Sequence, residues 1–418
     1  MKIRAITLGF PLDGKSGSLE HLRTNLEFVS ILRKQLEEKS INVQTVRFCS
    51  LPFTHKSEFD GDFFSQIPVK LEYIDTLVKE NLVDYYSFIP GLCDQTHPLT
   101  PTQLRIIENF PQYFKDHSVM FSSIQVSSIR NGISLEAIKK CAWVIKKLSD
   151  INAFKNLQFA ATFNVPPNTP FFPSAYHQGV NPKITIALEA ADEMAKITQE
   201  FSKHQYDLKW LQDSIVQRFT AIYDETFSIL KPFCIKHGIK YGGMDFSPSP
   251  YPIVEKSIGT ALENIKLSHF GDLGTIFVIG LITSAIEKVK RPKIGFSGFM
   301  QPLLEDYIIA KRHSEGKFDL TQLLLNSTVC GLGLDTIPLP GNVSEGALSL
   351  LMMDVAMLST RLNKPLTCRL MPISNKKSKD YTEFDFEYFT NSKICDISDP
   401  INDSSLYDLI KHNSSLYL

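Results

Sequence analysis

The chain has 418 residues, 43% of them hydrophobic and 21% charged, with a formal net charge of −1 at pH 7. That length allows two lobes or one large α/β barrel, and the composition is ordinary for a globular protein. The charge balance supplies no global field to draw nucleic acid or an anionic membrane, and no basic stripe interleaved with aromatics appears.

The N-terminal residues 2–10 alternate and read as a strand, with a turn at Pro11, Asp13 and Gly14. No leader is expected, because no long apolar run precedes this strand. Ser18 opens a helix whose apolar positions include Leu22, Leu26, Val29, Leu32 and Leu36, and residues 42–48 form a second strand. That β–α–β order predicts a parallel pair with a right-handed crossover. A polar, aromatic loop at 51–66 leads to a helix at 69–80 and a short strand at 85–89, ended by Pro90 and Gly91. Residues 104–114 read as a helix kinked or broken at Pro111, and 119–127 as a strand carrying Ser122, Ser123 and Gln125.

Arg130-Asn131-Gly132 is a sharp turn, and Ser134 caps a helix at 135–148. A strand at 159–164 runs into a proline-rich loop that carries His177, and a further strand follows at 183–188. The pattern is helical from 189 to 236 with a break near 204–207. A strand at 240–246 places Asp245 near its end, with SPSPYP after it as an irregular loop. Helices are expected at 257–265 and from Thr275, and short strands at 294–299 and 307–310. The longest apolar run, near 273–286, is too short to span a bilayer.

The stretch 326–384 is the best candidate for part of a reactive centre. An apolar run ends at Cys330, and a glycine-spaced turn presents Asp335. Pro338, Pro340 and Gly341 break the chain. Ser344 and Glu345 then open an apolar helix that stops near Asn363, and a strand follows at 366–373. Residues 391–418 form a polar tail with a last helical turn at 406–411. Strands alternate with helices throughout, so the class is α/β.

The seven cysteines are scattered, odd in number and without a C-x-x-C pair. They fit reduced thiols in a cytosol rather than a disulfide framework or a metal cage. Phosphate-loop, H-E-x-x-H and G-x-S-x-G motifs are absent. What recurs is a polar residue at a strand end beside Gly or Pro, where ligands gather in α/β proteins.

Cys330 is a candidate nucleophile, against a plainer role as a small buried thiol. His177 is a candidate general base, against a loop histidine bonded to backbone. Asp335 and Asp245 can orient a reacting group or bind a cation, or can cap their turns. Ser247, Asn131, Ser122 and Ser123 complete a candidate substrate-binding set. The Gly271-Asp272-Leu273-Gly274-Thr275 turn reads as an ordinary helix start.

The runs VCGLGLDTIPLPG, MMDVA, KPLTCRLMPI and DYTEF resemble those of the domain of unknown function 711 family of bacteria and archaea. RAITLGF, NGISLEAI, AYHQGV, YGGMDFSPSP, FGDLGT and GFSGF occur in the same order and extend the resemblance over most of residues 1–390. It implies a fold similar to pyruvate formate-lyase and other glycyl radical enzymes, a ten-stranded α/β barrel closed around an internal site, in a homodimer. One barrel domain over 1–390 and a separate tail over 391–418 are expected. A glycyl radical enzyme carries Arg-Val-x-Gly-Tyr near its C-terminus, and the tail here has no such run. Radical chemistry is therefore not carried over. The expectation is a cytoplasmic, non-radical enzyme acting on a small polar metabolite inside the barrel. The alternative is a metabolite-binding regulatory homodimer on an inactive barrel. No cofactor is specified by the sequence, and no nucleic-acid or membrane partner is expected.

Overall fold

The expected β–α–β opening is present in a computed structural model that describes residues 2–12, 18–52, 63–89, 92–94 and 98–417. Strands β1 (Lys2–Gly9) and β2 (Asn42–Cys49) pair in parallel on either side, in sequence, of helix α1 (Ser18–Glu38). The helix buries Leu22, Leu26, Val29, Leu32 and Leu36, whose spacing of three and four puts one apolar stripe toward the core. Burying each such side chain is worth about 1.5–3 kcal/mol.

Helix α2 (Phe63–Lys79) leads to β3 (Tyr85–Ser87), and α3 (Pro101–Asp116) to β4 (Met120–Ser128). The hairpin strand β5 (Gly132–Ser134), helix α4 (Leu135–Ile151) and β6 (Phe159–Phe163) follow. Strand β7 (Lys183–Glu189) precedes α5 (Ala191–Glu200) and α6 (Leu208–His237), then β8 (Lys240–Ser249). Helices α7 (Ile258–Glu263), α8 (Thr275–Glu287), α9 (Tyr307–Ser314) and α10 (Leu320–Asn326) lead to β9 (Gly333–Pro340). Helix α11 (Glu345–Leu362), β10 (Leu366–Ile373), α12 (Asp403–His412) and β11 (Ser415–Leu416) complete the chain.

The strands form one mixed sheet in the order β8-β7-β1-β2-β3-β4-β6-β10-β9, with β5 and β11 attached beside β4. Only β7–β1 and β6–β10 pair antiparallel along that path. The ladder is open, with β8 and β9 as its edges, so it is not the closed ten-stranded barrel expected from the sequence. An irregular run at 292–304 lies against both edges instead. It meets β8 at a Met244–Lys293 bridge and β9 at a Pro302–Asp335 bridge. No ladder propagates along this run, because Gly295 (φ +69°) and Ser297 (φ +40°) leave the extended conformation and Pro302 lacks a donor.

Several local expectations are revised. Residues 307–310 start α9 rather than a strand, because the Asp306 carboxylate accepts the Ile309 N–H as a helix cap. Pro111 sits inside the continuous α3, which begins with a capping box between Thr100 and Gln103. Strand β8 continues through Ser247 and Pro248 to Ser249. Asp335 lies within a strand rather than a turn, and Pro338 and Pro340 do not break it. As an edge, β9 has a ladder partner only on its β10 side, so missing N–H groups are tolerated. The predicted turn at Asp13 and Gly14, Pro90-Gly91 and residues 53–62 of the first loop lie outside the described residues. The 391–418 stretch contains α12, and β11 pairs antiparallel with β5.

One apolar core runs from Ile3 to Ile410 between sheet and helices. A second, smaller cluster of Ala5, Val165, Phe171, Ala187, Phe296, Met300 and Leu332 is separate from it, and its Phe171, Phe296, Met300 and Leu332 line a cavity.

Candidate functional site

Three strands carry one arginine each in an apolar run: Arg4 in β1, Arg47 in β2 and Arg369 in β10. Two of them sit at breaks in the strand register. On β1, Ile3 pairs Leu188 and Ala5 pairs Ala187, so Arg4 is an extra residue. On β10, Cys368 pairs Leu334 and Leu370 pairs Ile337, so Arg369 faces both Asp335 and Thr336 of β9. Bulges of this kind re-aim a side chain without moving its strand. Thr336 absorbs the irregularity at φ +49°.

All three guanidiniums line a cavity of about 160 Å³. Arg369 is 7% exposed and binds Asp335 through two parallel bonds, Nε to Oδ1 at 2.5 Å and Nη2 to Oδ2 at 2.9 Å. Its Nη2 also donates to Glu305 Oε1 at 2.8 Å, and Arg4 Nη2 donates to Glu305 Oε2 at 3.0 Å. Glu305 is therefore bridged by arginines from strands five places apart in the sheet. At about 4.8 Å per strand a flat sheet would separate those strands by roughly 24 Å, so the sheet curls around the cavity. Burial disfavours the charge on Arg369, but Asp335 and Glu305 outweigh it and hold its pKa above the ordinary arginine value.

Arg47 is different. It is 8% exposed, its Nε donates to Thr45 Oγ1 at 2.9 Å, and among the described residues no carboxylate pairs with it. Its guanidinium lies 5.8 Å from the Tyr85 ring centre and 5.2 Å from that of Phe172. Burial, reinforced by the nearby Arg4, pushes its pKa down to about 10. The rest of the wall is largely apolar and aromatic, with Phe121, Phe171, Phe296, Met300 and Leu332 among its side chains. Tyr388 stacks against Arg4 at 5.4 Å, and burial pushes its phenol up to about 12.

Of the residues singled out in the sequence, Asp335 lines this cavity. Cys330 is fully buried just after α10, where its Sγ accepts the Gly333 N–H at 3.3 Å and its carbonyl accepts Lys364 Nζ. His177 is fully buried beside Asn168, Nδ1 to Oδ1 at 3.0 Å, and its N–H bonds to Ser50 O at 2.8 Å. Burial, then Lys183, pushes its pKa down to about 4, so it is a neutral imidazole at pH 7. Its bonds anchor the 165–179 loop, which brings Phe171 and Phe172 to the wall.

The buried Asp245 carboxylate accepts the N–H groups of Ser247, Phe296 and Ser297 at 2.7–2.9 Å. Burial outweighs those bonds and holds its pKa above the usual carboxylate range. Ser247 Oγ accepts the Gly298 N–H at 3.2 Å. Together they pin the 292–304 run, which supplies Phe296, Met300 and Pro302 to the cavity. Asn131 Nδ2 donates to Asp94 at 3.0 Å, and neither residue lines the cavity. Ser122 and Ser123 are buried within β4, and neither lines the cavity. Among the described residues no group of three or more His, Cys, Asp or Glu side chains is placed to hold a metal ion, and no helix is long and apolar enough to cross a membrane.

Sequence reading missed Arg4, Arg47, Arg369 and Glu305, because it searched strand ends. The available signal was a single arginine in the middle of three apolar strands, where an unpaired charge is costly.

The fold and site define a mixed α/β protein with a charged, aromatic-walled cavity inside a curled sheet. The family described as "Uncharacterised ACR (DUF711)" matches residues 1–392, and the chain belongs to it. It is 27% identical over 398 residues to a UPF0210 protein of Pyrobaculum aerophilum, covering 91% of this chain and 87% of that one. A UPF0210 protein of Clostridium perfringens is 26% identical over 326 residues, covering 74% and 70%. One from Oenococcus oeni is 26% identical over 292 residues, covering 68% and 65%.

Proposed function

We propose that this protein takes a small polar metabolite into the cavity bounded by Arg4, Arg47, Arg369, Asp335 and Glu305. The observation that carries the reading is the Arg369–Asp335–Glu305–Arg4 network, buried yet facing open space. Taking that many charges out of water is expensive, and a well-packed apolar wall of the same volume is often at least as stable. A folded chain with no ligand to recognise has little physical reason to keep it.

Of the two roles weighed from the sequence, metabolite-binding regulator and non-radical enzyme, the geometry favours the first. Both carboxylates in the lining are engaged by guanidiniums, and neither Cys330 Sγ nor the His177 imidazole belongs to the lining. In this reading Asp335 orients Arg369 rather than acting as a base. Asp245 and Ser247 shape the wall from outside. The reading takes the 292–304 run as filling the tenth place of a barrel-like sheet. It also includes a homodimer in a cytoplasmic setting, in keeping with seven scattered cysteines that form no C-x-x-C pair.

Native mass spectrometry of the purified protein tests the binding role. A retained small molecule that disappears in the cavity-filling variant Leu332→Phe is the expected result. Folded protein that retains nothing, and whose melting temperature no metabolite mixture raises, would refute it. Incubation of the retained molecule with fresh protein, followed by mass analysis, detects turnover. Light scattering reads the dimer.

A further inference from the structure

The cavity contains one cation more than it needs. Among its described lining residues are three guanidiniums and two carboxylates. Arg4 and Arg369 share Glu305, Arg369 also holds Asp335, and Arg4 Nη1 reaches Glu189, outside the lining, at 3.5 Å. That leaves one positive charge, and it falls on Arg47. Its Nε is satisfied by Thr45, and its Cζ lies over the Tyr85 and Phe172 rings, 5.8 and 5.2 Å from their centres. The terminal Nη atoms have no protein acceptor among the described residues. Thr45 also donates to the Arg4 carbonyl at 2.8 Å, so the residue that orients Arg47 is itself fixed to the neighbouring strand. A guanidinium held in this way presents a planar fork that matches a carboxylate.

We propose that the ligand is a monocarboxylic acid with a compact apolar or aromatic body, its carboxylate paired with the Nη atoms of Arg47. This rests on the reading of the cavity as a metabolite chamber and names the class that chamber selects. The charge count argues for a single negative charge. A dianion such as phosphate would bring a second one near Glu305 and Asp335, which already have partners. The wall argues for the body, because Phe121, Phe171, Phe296, Met300 and Leu332 offer apolar contact beside the polar Gln44, Ser118, Gln158 and Thr367. The size argues for compactness, since a cavity of about 150 Å³ accommodates a benzene ring and this one measures about 160 Å³. Pairing would also relieve a buried charge whose pKa burial already depresses.

Calorimetric titration of the full chain with benzoate, 3-methylbutanoate, benzamide and inorganic phosphate tests the proposal. Benzoate or 3-methylbutanoate binds, and benzamide and phosphate bind at least about 30-fold more weakly, the loss expected when a buried charged hydrogen-bonded pair is missing. Arg47→Met weakens carboxylate binding by a similar factor. Arg47→Lys, which keeps the charge and the fold but loses the fork, weakens it by about tenfold. Unchanged carboxylate affinity in both Arg47 variants overturns the assignment. So does tighter binding of phosphate, or failure of every carboxylate at millimolar concentration.

Leu332→Phe separates the two levels. If it abolishes retention of another ligand while carboxylates fail, the class is wrong and the chamber stands. If carboxylates bind equally well to Leu332→Phe, they bind elsewhere and the chamber reading falls with the class.

Discussion

Replacing Arg369 by Met tests the buried network directly. The side chain is 7% exposed and makes two bonds to Asp335 and one to Glu305. Methionine approximates its length and fills its path between β9 and the cavity, so packing loss is small. The loss is electrostatic. Glu305 keeps Arg4, but Asp335 is left 5% exposed and without its cation. Breaking one side of a buried pair costs about 3–5 kcal/mol. An unfolding entropy of about 2.1 cal/mol/K per residue over 418 residues converts 4 kcal/mol into a fall of about 4–5 °C in Tm.

Urea denaturation followed by circular dichroism, with a thermal melt beside it, measures the change. Asp335→Leu alone is expected to cost somewhat less, because Arg369 loses its two bonds to Asp335 but keeps Glu305. The double variant Arg369→Met/Asp335→Leu is expected to recover most of either loss, since an apolar pair replaces an ionic one. A single variant within about 0.5 kcal/mol of the parent would refute the reasoning. So would a double variant that costs the sum of the two.

Arg47→Met removes a buried charge that has no counter-ion among the described residues, so the ligand-free protein is expected to melt at the same temperature or higher, the opposite sign to Arg369→Met. Burial, aided by Lys183 and Lys393 respectively, holds His177 and His313 down to about 4. Between about pH 6.5 and 4 the unfolded chain therefore binds protons that the native chain refuses. Stability is complete above pH 6.5 and falls on acidification, by about 2 kcal/mol per histidine at pH 5. Urea titrations at pH 7 and 5 are expected to show His313→Gln losing about 2 kcal/mol less than the parent. Asp245→Asn replaces one acceptor oxygen by a donor facing backbone N–H groups and is expected to cost about 2–3 kcal/mol by urea titration. Gly331→Ala places a Cβ 2.7 Å from the Gly298 Cα, and is expected to lower Tm by several degrees and to weaken whatever the cavity binds.

Element types were largely legible in the sequence, because apolar spacing and caps are local. The stripe of α1, the Ser134 and Ser344 caps and the Asn363 stop all appear where they were expected. The errors came where a distant partner decides. Residues 307–310 look β-branched and strand-like, but Asp306, held by the Ser257 hydroxyl and the Ile258 N–H, caps them into α9. Pro338 and Pro340 look like breakers, but β9 needs donors on one side only. Asp335 was found because it stands beside a glycine turn. Its partner Arg369 was not, because a bulge created by the β9–β10 pairing turns it toward Asp335, and no single strand encodes that pairing. Arg47 was missed for a related reason. That no described residue supplies its counter-ion is visible only once neighbouring strands and loops surround it.

The run at 292–304 has a bearing on how such a molecule diversifies. Within a ladder, inserting one residue flips every later side chain to the opposite face. The seam between β8 and β9 has no ladder to slip, since it is stitched by single hydrogen bonds such as Ile294 N–H to Met244 O and Leu303 N–H to Asp335 O. A residue gained or lost between those stitches changes the contour presented by Phe296 and Met300 while the nine paired strands keep their alignment. The cavity's contour at the seam is thus free to change while Arg4, Arg47 and Arg369 stay where their strands put them.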